Sequence, residues 1–289
     1  MSSDGTDGRT LDVLLGRTAW SVCRHDALLH SESGLARAET LKSLTEWLRS
    51  STGGTWWRRT QINVYLTGGI CRPFLLPELP ALRVAEQRLA IDAAAKARTG
   101  LAEPLQVWLS PLLSGGAEGG RNHQFGAAVA QEDLTSLVAA IRSLRKIRLA
   151  SIQPVWSLAL QVATSEVSAV PSPLDLLLVQ DDDSITLLAG APQHATRTEG
   201  STDGFAAALT IDRGLDAASQ SHAVMRVVSG LEVEPMNSYQ MRFSAPGVEQ
   251  GSQPQVAEAA VDLGSTELPL QALLRVQAID LERITEIVA

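Results

Sequence analysis

The apolar residues at the start of the chain follow the spacing of strands and then the spacing of a helix. Three short runs rich in Leu, Val and Trp are separated by brief polar breaks, which predicts a β-meander. Leucines then recur at helical intervals from residue 38 to residue 49, and the run stops at Ser51-Thr52-Gly53-Gly54, which predicts an amphipathic helix. The three strand-like runs are residues 11–16, 18–24 and 27–31.

Strand-like and helix-like segments alternate over the next hundred residues. Gly68-Gly69 marks a tight turn between two strands, and Gly100 closes an Ala-rich helix. Asp133 is placed to cap the best amphipathic helix, and Pro154, which lacks an N–H, suits the first position of the helix after it. The predicted strands are residues 62–66, 70–76, 105–110, 125–130 and 147–152, the predicted helices are 82–98, 134–144 and 154–163, and a glycine-rich loop is predicted at 114–120.

A Pro/Ser segment at residues 168–173 predicts a linker, and a second module begins near it. Apolar runs at 174–179 and 184–188 flank Asp181-Asp182-Asp183, which predicts a β-hairpin. The last twenty residues combine strand-like alternation with helical spacing and are compatible with either element. Between the hairpin and this end, the pattern predicts a strand at 205–211, a helix at 215–228, a strand at 239–243 and a loop at 245–255.

The composition is that of an ordinary globular protein, because 45% of the 289 residues are hydrophobic and 19% are charged. The formal net charge of -8 argues against nucleic-acid binding, which requires clustered cations. The clearest basic run lies at the end of a predicted helix, where cations complement the helix dipole; a docking patch for an acidic partner is the alternative. This run consists of Arg142, Arg145, Lys146 and Arg148.

Cysteine usage and the chain start both point to a cytoplasmic protein without direct membrane insertion. Cys23 and Cys71 each lie in an apolar run without a CxxC or Cys/His cluster, so both are predicted to be buried free thiols in a reducing compartment. The polar residues 1–9 contain no apolar signal segment. No stretch approaches the roughly 18 apolar residues that a membrane span needs.

The residue types that carry catalysis are present without the spacing that catalysis needs. The five histidines are scattered, and neither HExxH nor GxSxG occurs. The glycine pairs lack the GxxxxGK[ST] and GxGxxG contexts that hold phosphates, which favours turns and linkers. Asp181-Asp182-Asp183 has the composition of a cation site, but its place between two apolar strands favours a solvated turn. No catalytic residue, metal site or cofactor is predicted.

One local feature is a candidate partner contact. Trp56-Trp57-Arg58-Arg59 combines a large aromatic area with cations directly before a strand. Successive side chains of an extended chain point to opposite faces, so the two tryptophans cannot both be buried by one face. Strand-edge packing is one interpretation of this run, and a contact with a partner protein through Trp56, Trp57, Arg58 and Arg59 is the other.

The segment VYLTGGICRPFLLP at residues 64–77, followed by the helix at 85–97 and by Val107-Trp108-Leu109, resembles the actin-like PilM/GspL group. The order of elements from residue 125 to residue 154 continues the resemblance. The group comprises cytoplasmic scaffold proteins or domains of type IV pilus and type II secretion machines. The resemblance implies an α/β, actin-like (ribonuclease H-like) two-lobed fold with mixed sheets flanked by helices. Residues 1–10 would be a disordered tail, 11–165 the first lobe and 166–289 the second.

Actin-like ATPases hold nucleotide phosphates between two glycine-bearing hairpins, whose aspartates position the metal and the attacking water. The first hairpin of this sequence, residues 13–18, keeps Gly16 but has leucine where the catalytic form carries aspartate. The second, residues 179–184, has Asp181 and Asp183 but no glycine that would let backbone amides approach a phosphate. The resemblance therefore implies a degenerate nucleotide site and no enzyme activity.

Three functions are compatible with these patterns, and the degenerate hairpins favour the first. It is a non-catalytic scaffold of a pilus or secretion machine that recruits an assembly ATPase, an inner-membrane subunit or both, and so reaches the inner membrane. The second is an ATP-binding actin-like switch, in which Asp12, Asp181 or Asp183 supplies the metal position. The nucleotide-binding residues would then be Gly16, Asp181 and Asp183. The third is an unrelated small-molecule enzyme on an α/β fold.

Overall fold

A computed structural model describes residues 10–24, 27–51, 60–77, 79–80, 82–109, 124–166, 176–190, 205–213, 219, 222–223, 238–243 and 274–278. Thirteen strands and four helices lie in these residues. Several predicted segments lie outside them, namely the tail at 1–9, the partner-contact run at 56–59, the loop at 114–120, the linker at 168–173, the loop at 245–255 and most of the helix at 215–228.

The order of elements is mixed α/β. The helices are α1 (Arg37–Ser51), α2 (Val84–Thr99), α3 (Gln131–Arg142) and α4 (Val155–Glu166). The strands are β1 (Thr10–Leu15), β2 (Trp20–Arg24), β3 (Ala27–Glu32), β4 (Thr60–Leu66), β5 (Cys71–Leu76), β6 (Leu105–Leu109), β7 (Gln124–Ala130), β8 (Ile147–Pro154), β9 (Leu176–Gln180), β10 (Ser184–Gly190), β11 (Phe205–Asp212), β12 (Ser238–Phe243) and β13 (Leu274–Ala278).

The predicted meander supplies three strands of a five-stranded mixed sheet with the order β3-β2-β1-β4-β8. β1 pairs antiparallel with β2 and parallel with β4, and β4 pairs parallel with β8. The turn at Gly68-Gly69 leads the chain out of this sheet. β5 therefore belongs to a second, three-stranded sheet with the order β5-β7-β6, and α2 packs against it.

A third sheet repeats the strand order of the first. Its order is β11-β10-β9-β12-β13, and the directions of its first four strands match those of β3-β2-β1-β4. The fifth strand differs, since β13 pairs antiparallel with β12. Two mixed sheets with this repeated order are the duplicated α/β architecture expected of an actin-like fold, so the predicted fold class is confirmed.

The main core is shared between the first and third sheets. Leu44 and Leu48 of α1 are buried, and so are Leu177 and Val179 of β9 in the same apolar cluster. β1 and β9 are buried along almost their whole lengths, because both of their faces are covered. This burial on two faces explains why the central strands appear in the sequence as continuous apolar runs.

Three local predictions were wrong. α3 begins at Gln131 after an Ala130 N-cap, so Asp133 lies inside the first turn, where its carboxylate pairs with Arg37 at 2.6 Å. Pro154 ends β8, a strand at the sheet edge that tolerates a missing N–H, and α4 begins at the next residue. Arg148 lies on β8, not at the end of α3, because the strand begins at residue 147.

Two other local predictions are confirmed. Cys23 and Cys71 are buried free thiols, and burial raises the pKa of the Cys71 thiol to about 12. Gly100 closes α2 in the left-handed conformation, with a φ of 70°.

Candidate functional site

Three turns from the first and third sheets meet at one point, which we call the junction. Because β1 and β4 are adjacent parallel strands, their carboxyl ends lie at the same edge of the first sheet, and the β9–β10 turn of the third sheet reaches them there. The junction consists of Gly16 and Arg17 after β1, Thr67, Gly68 and Gly69 after β4, and Asp181, Asp182 and Asp183 between β9 and β10.

The carboxylate of Asp183 fills the space between the β1 and β4 turns. Its Oδ2 atom accepts hydrogen bonds from the backbone N–H of Arg17 at 2.5 Å and from the Thr67 hydroxyl at 3.2 Å. A Cβ atom added to Gly16 or to Gly69 would lie 2.8 or 2.6 Å from an Asp183 carboxylate oxygen. Both turns therefore need glycine for the carboxylate to fit.

The carboxyl group of Asp181 is buried beneath the same turns, with a relative exposure of 1%. Its Oδ2 atom accepts the Gly68 N–H at 2.8 Å, and its Oδ1 atom accepts both the N–H and the hydroxyl of Ser184 at 2.7 Å. Burial and the nearby charge of Asp183 raise the pKa of Asp181 well above 3.8, although the bonds from Gly68 and Ser184 act in the opposite direction.

Arginines balance the carboxylates at the edge of the junction. Asp212, at the end of β11, accepts a hydrogen bond from Arg72 at 2.5 Å and lies 3.5 Å from the Arg17 guanidinium. Arg72 is only 8% exposed, and its second terminal nitrogen donates to the Thr99 carbonyl at 2.8 Å. Since Arg72 belongs to β5, Asp212 connects all three sheets.

In the junction, backbone N–H groups of the kind that bind phosphates already have acceptors within the protein. The N–H groups of Arg17 and Gly68 donate to carboxylates of the same chain. A phosphate reaching these amides would have to displace Asp183 and Asp181, and its charge would repel theirs. In this arrangement a triphosphate would compete with Asp181 and Asp183 for the same backbone amides.

The ATP-binding alternative depends on Gly16, Asp181 and Asp183. The structure brings these three residues together at the junction, where the aspartates accept hydrogen bonds from the turns of the same chain. Asp12, the other candidate, lies within β1 and accepts a hydrogen bond from the Asn63 amide at 2.9 Å. The β9–β10 hairpin is confirmed. The expectation that its aspartates are solvated was wrong for Asp181, because the β4 turn covers it.

Sequence reasoning missed part of the junction and the ion pair at its edge. Thr67, Arg72 and Asp212 were not singled out, and Gly68-Gly69 was interpreted only as a turn. The available signal was the position of Thr67-Gly68-Gly69 directly after a strand that pairs with the first hairpin. Asp212 and Arg72 are 140 residues apart, and no local pattern connects them.

A groove of about 760 Å³ opens beside the junction, between α1 and α3. Arg37 of α1 and Asp133 of α3 form an ion pair across the two helices. Gly16 and Arg17 also line the groove, so it shares the β1 turn with the junction. Apolar side chains line much of the remainder, namely Leu15, Leu41, Leu66, Ile70, Val129, Leu134 and Leu137.

Within the described ranges, no three His, Cys, Asp or Glu side chains are grouped so as to hold a metal ion. In the same part of the chain, each helix is too short or too polar to cross a membrane. Trp56, Trp57, Arg58 and Arg59 lie outside the residues that the structure describes, so a partner contact there stays a prediction.

No protein-family model and no curated protein matches the sequence. Among solved structures, the chain is similar to the cytoplasmic domain of EpsL, an inner membrane component of the type II secretion system of Vibrio cholerae. That likeness has 13% identity and a TM-score of 0.46, over 86% of this chain and 90% of that one. A PilM-PilN type IV pilus biogenesis complex matches with 18% identity and a TM-score of 0.44, over 77% of this chain and 66% of that one.

A third similar structure is a Bacteroides thetaiotaomicron protein with an actin-like ATPase fold and unknown function. It has 11% identity and a TM-score of 0.44, over 78% of this chain and 77% of that one.

Proposed function

We propose that the protein is a non-catalytic scaffold of a type II secretion or type IV pilus assembly machine. It recruits an assembly ATPase, an inner-membrane subunit or both, and it works in the cytoplasm at the inner membrane. The observation that carries the proposal is the position of the Asp183 carboxylate. It accepts hydrogen bonds from the Arg17 N–H and the Thr67 hydroxyl at the place where a nucleotide switch would bind phosphates. These hydrogen bonds hold the first and third sheets in a fixed arrangement, which suits a scaffold.

The groove between α1 and α3 supports the partner-binding part of the proposal. Its volume of about 760 Å³ is within the range of specific binding sites in proteins. Apolar side chains beside the Arg37–Asp133 pair suit a short amphipathic segment, whose apolar side chains would enter the groove. We assign this groove to the cytoplasmic end of an inner-membrane subunit.

Calorimetric titration with Mg-ATP separates the scaffold from the ATP-binding switch. We expect no saturable heat at nucleotide concentrations up to the millimolar range, because the junction amides already donate to Asp183 and Asp181. Saturable one-to-one binding would contradict the scaffold proposal and favour the switch.

Binding to purified candidate partners tests the groove. The candidates are the assembly ATPase and the cytoplasmic segments of inner-membrane subunits of the same machine. Ser136 lines the groove, and Ser136→Tyr should weaken binding of the segment by roughly tenfold or more, since it fills part of the recess. Thr135→Tyr makes a similar enlargement at the neighbouring exposed position of α3, outside the groove lining, and should bind as the unaltered protein does.

Two outcomes of the binding experiment count against the proposal. If no assembly ATPase and no inner-membrane segment binds the unaltered protein, the scaffold function is wrong. If a segment binds and both tyrosine variants bind it equally well, the scaffold function stands, but the groove is not its binding surface.

A further inference from the structure

Strand β6 lies at the edge of the second sheet. One side of it pairs with β7 in a continuous antiparallel register, from Leu105 opposite Ala130 to Leu109 opposite Gly126. In the described part of the chain, no strand pairs with its other side. An uncovered strand edge presents a row of N–H and C=O groups, so a second chain can add a strand to the sheet there.

The pairing with β7 shows which backbone groups of β6 point outward. The Gln131 N–H donates to the carbonyl of Pro104, the residue opposite it in this register, at 2.9 Å. Hydrogen-bonded and non-hydrogen-bonded pairs alternate along antiparallel strands, so the backbone groups of Gln106 and Trp108 face β7. The residues whose backbone groups face outward are Leu105, Val107 and Leu109.

β6 lacks the features that protect the other described strands at sheet edges. The pairing register shifts by one residue at β3, β8 and β11, while β5 contains Pro73 and β13 contains Arg275. Bulges, prolines and charges of this kind hinder the addition of a further strand. The β6 sequence LQVWL contains neither a charge nor a proline, and its register is continuous. The edge is therefore suited to strand pairing.

The side chains of β6 alternate between the two faces of the sheet. Leu105, Val107 and Leu109 are half-buried and pack in the apolar cluster that includes Ala95 of α2. Gln106 and Trp108 point to the opposite face, where Trp108 is 43% exposed. A strand added beside β6 would cover part of this large aromatic side chain, which favours pairing over an open edge.

We propose that β6 is a self-association edge, and that its partner is β6 of a second copy of this chain. In an antiparallel pair with a two-fold axis at Val107, Val107 lies opposite its own counterpart, and Leu105 lies opposite Leu109 of the other copy. Every outward N–H of one strand then meets an outward C=O of the other, which no shifted register achieves. Gln106 lies opposite Trp108 of the other copy, and no like charges meet because the strand is uncharged.

The fold leaves room for this dimer and limits it to two copies. α2 packs against β5 and β6, which flank β7, so the helix lies over the central strand. In the joined sheet the two β7 strands are three strand spacings apart, about 14 Å, which exceeds the roughly 10 Å at which two helices pack. The opposite edge of the sheet is β5, where Pro73 hinders further pairing, so the assembly does not grow into a fibre.

The short strand limits the strength of the dimer. Five residues span about 17 Å, and an edge of this length buries far less than the roughly 800 Å² per partner of standard interfaces. We therefore expect a weak dimer that depends on concentration. The proposal is independent of the scaffold function, since β6 contains no residue of the junction or of the groove lining.

Sedimentation velocity of the full chain over a wide concentration range tests the proposal. The unaltered protein should shift from monomer to dimer as its concentration rises. Val107→Pro removes an outward N–H at the two-fold axis but no bond to β7, and it should weaken association by roughly tenfold or more. Val107→Thr is the matched control, because it keeps the N–H and the β-branched shape, and it should still form the dimer.

Two double variants at the exposed positions test the register. Gln106→Lys with Trp108→Lys places like charges opposite each other across the two-fold axis, whereas Gln106→Glu with Trp108→Lys places opposite charges there. Both variants lose the same tryptophan, so only the sign of one charge differs between them. We expect the first to associate at least roughly tenfold more weakly than the second, with circular dichroism verifying that both are folded.

The double variants decide the matter even if Val107→Pro does not fold. Equal association of the two would contradict the proposed register and with it the β6 pair. A monomer at every concentration, as expected if another segment of the same chain covers the edge, would overturn the proposal. So would a dimer that Val107→Pro leaves unaltered, or assembly that continues beyond two copies.

Discussion

Gly68 lies where the turn after β4 presses against the third sheet, and its missing side chain is a packing requirement. A Cβ atom at this position would lie 2.2 Å from the Thr186 hydroxyl and 2.6 Å from the Ser184 hydroxyl. Neither oxygen can move freely, because Thr186 shares a hydrogen bond with Thr210 and Ser184 donates to Asp181. We expect Gly68→Ala to lower the free energy of unfolding by about 2–3 kcal/mol, measured by urea denaturation.

Gly34→Ala is the matched control for that substitution. Gly34 has a φ of +74°, and no atom of the described residues lies within 4 Å of an added Cβ, so alanine there meets backbone strain without a clash from this part of the chain. Its cost should be about 1 kcal/mol. Equal losses at the two positions would mean that the close approach of the β4 turn to the third sheet does not contribute.

At the scale of elements, the sequence predicted strands and helices well where buried apolar runs end at turn residues. The predicted helix at 82–98 is α2 (Val84–Thr99), and the predicted strand at 205–211 is β11 (Phe205–Asp212). These limits follow from local physics, because Gly100 stops the helix and polar residues flank the strand. Pairing between distant elements has no such local signal. Arg17 and Asp183 are 166 residues apart, and only the family resemblance indicates that their two hairpins meet. Nothing in the sequence connects Arg72 with Asp212.

The β9–β10 hairpin should make stability depend on pH through Asp181. Burial and the Asp183 charge raise the folded-state pKa of Asp181 above its unfolded value of 3.8. The folded protein therefore binds this proton more tightly, and the stability contributed by Asp181 is complete below pH 3.8 and is lost as the pH rises through the folded pKa.

Asp181→Asn tests this linkage, because asparagine does not ionise. The substitution changes the hydrogen bonds of the turn by an amount that does not vary with pH. We therefore expect the free energy of unfolding of the variant, relative to the unaltered protein, to rise between about pH 4 and about pH 8. Urea denaturation of both proteins across this range provides the measurement, and a constant difference would show that Asp181 titrates as it does in the unfolded chain.

For the whole molecule, the bonds around Asp212 decide whether the three sheets act as one unit. Asp212 of the third sheet is the carboxylate partner of Arg72, a guanidinium that is only 8% exposed on the second sheet. It also lies 3.5 Å from Arg17, which follows the central strand of the first sheet. Within the described residues, removing this carboxylate would leave the buried Arg72 guanidinium with the Thr99 carbonyl as its remaining partner.

We expect Asp212→Ala to lower the free energy of unfolding by about 2–3 kcal/mol, because uncompensated buried charge is costly even though Asp212 itself is partly exposed. Asp133→Ala is the comparison, since it breaks the Arg37–Asp133 pair, whose side chains are 48% and 30% exposed. That more solvated pair should contribute at most about 1 kcal/mol. Calorimetry can also resolve whether Asp212→Ala splits one unfolding transition into two, as expected if Asp212 couples the sheets. Equal losses for the two variants would mean that the buried environment of Arg72 adds nothing to its ion pair.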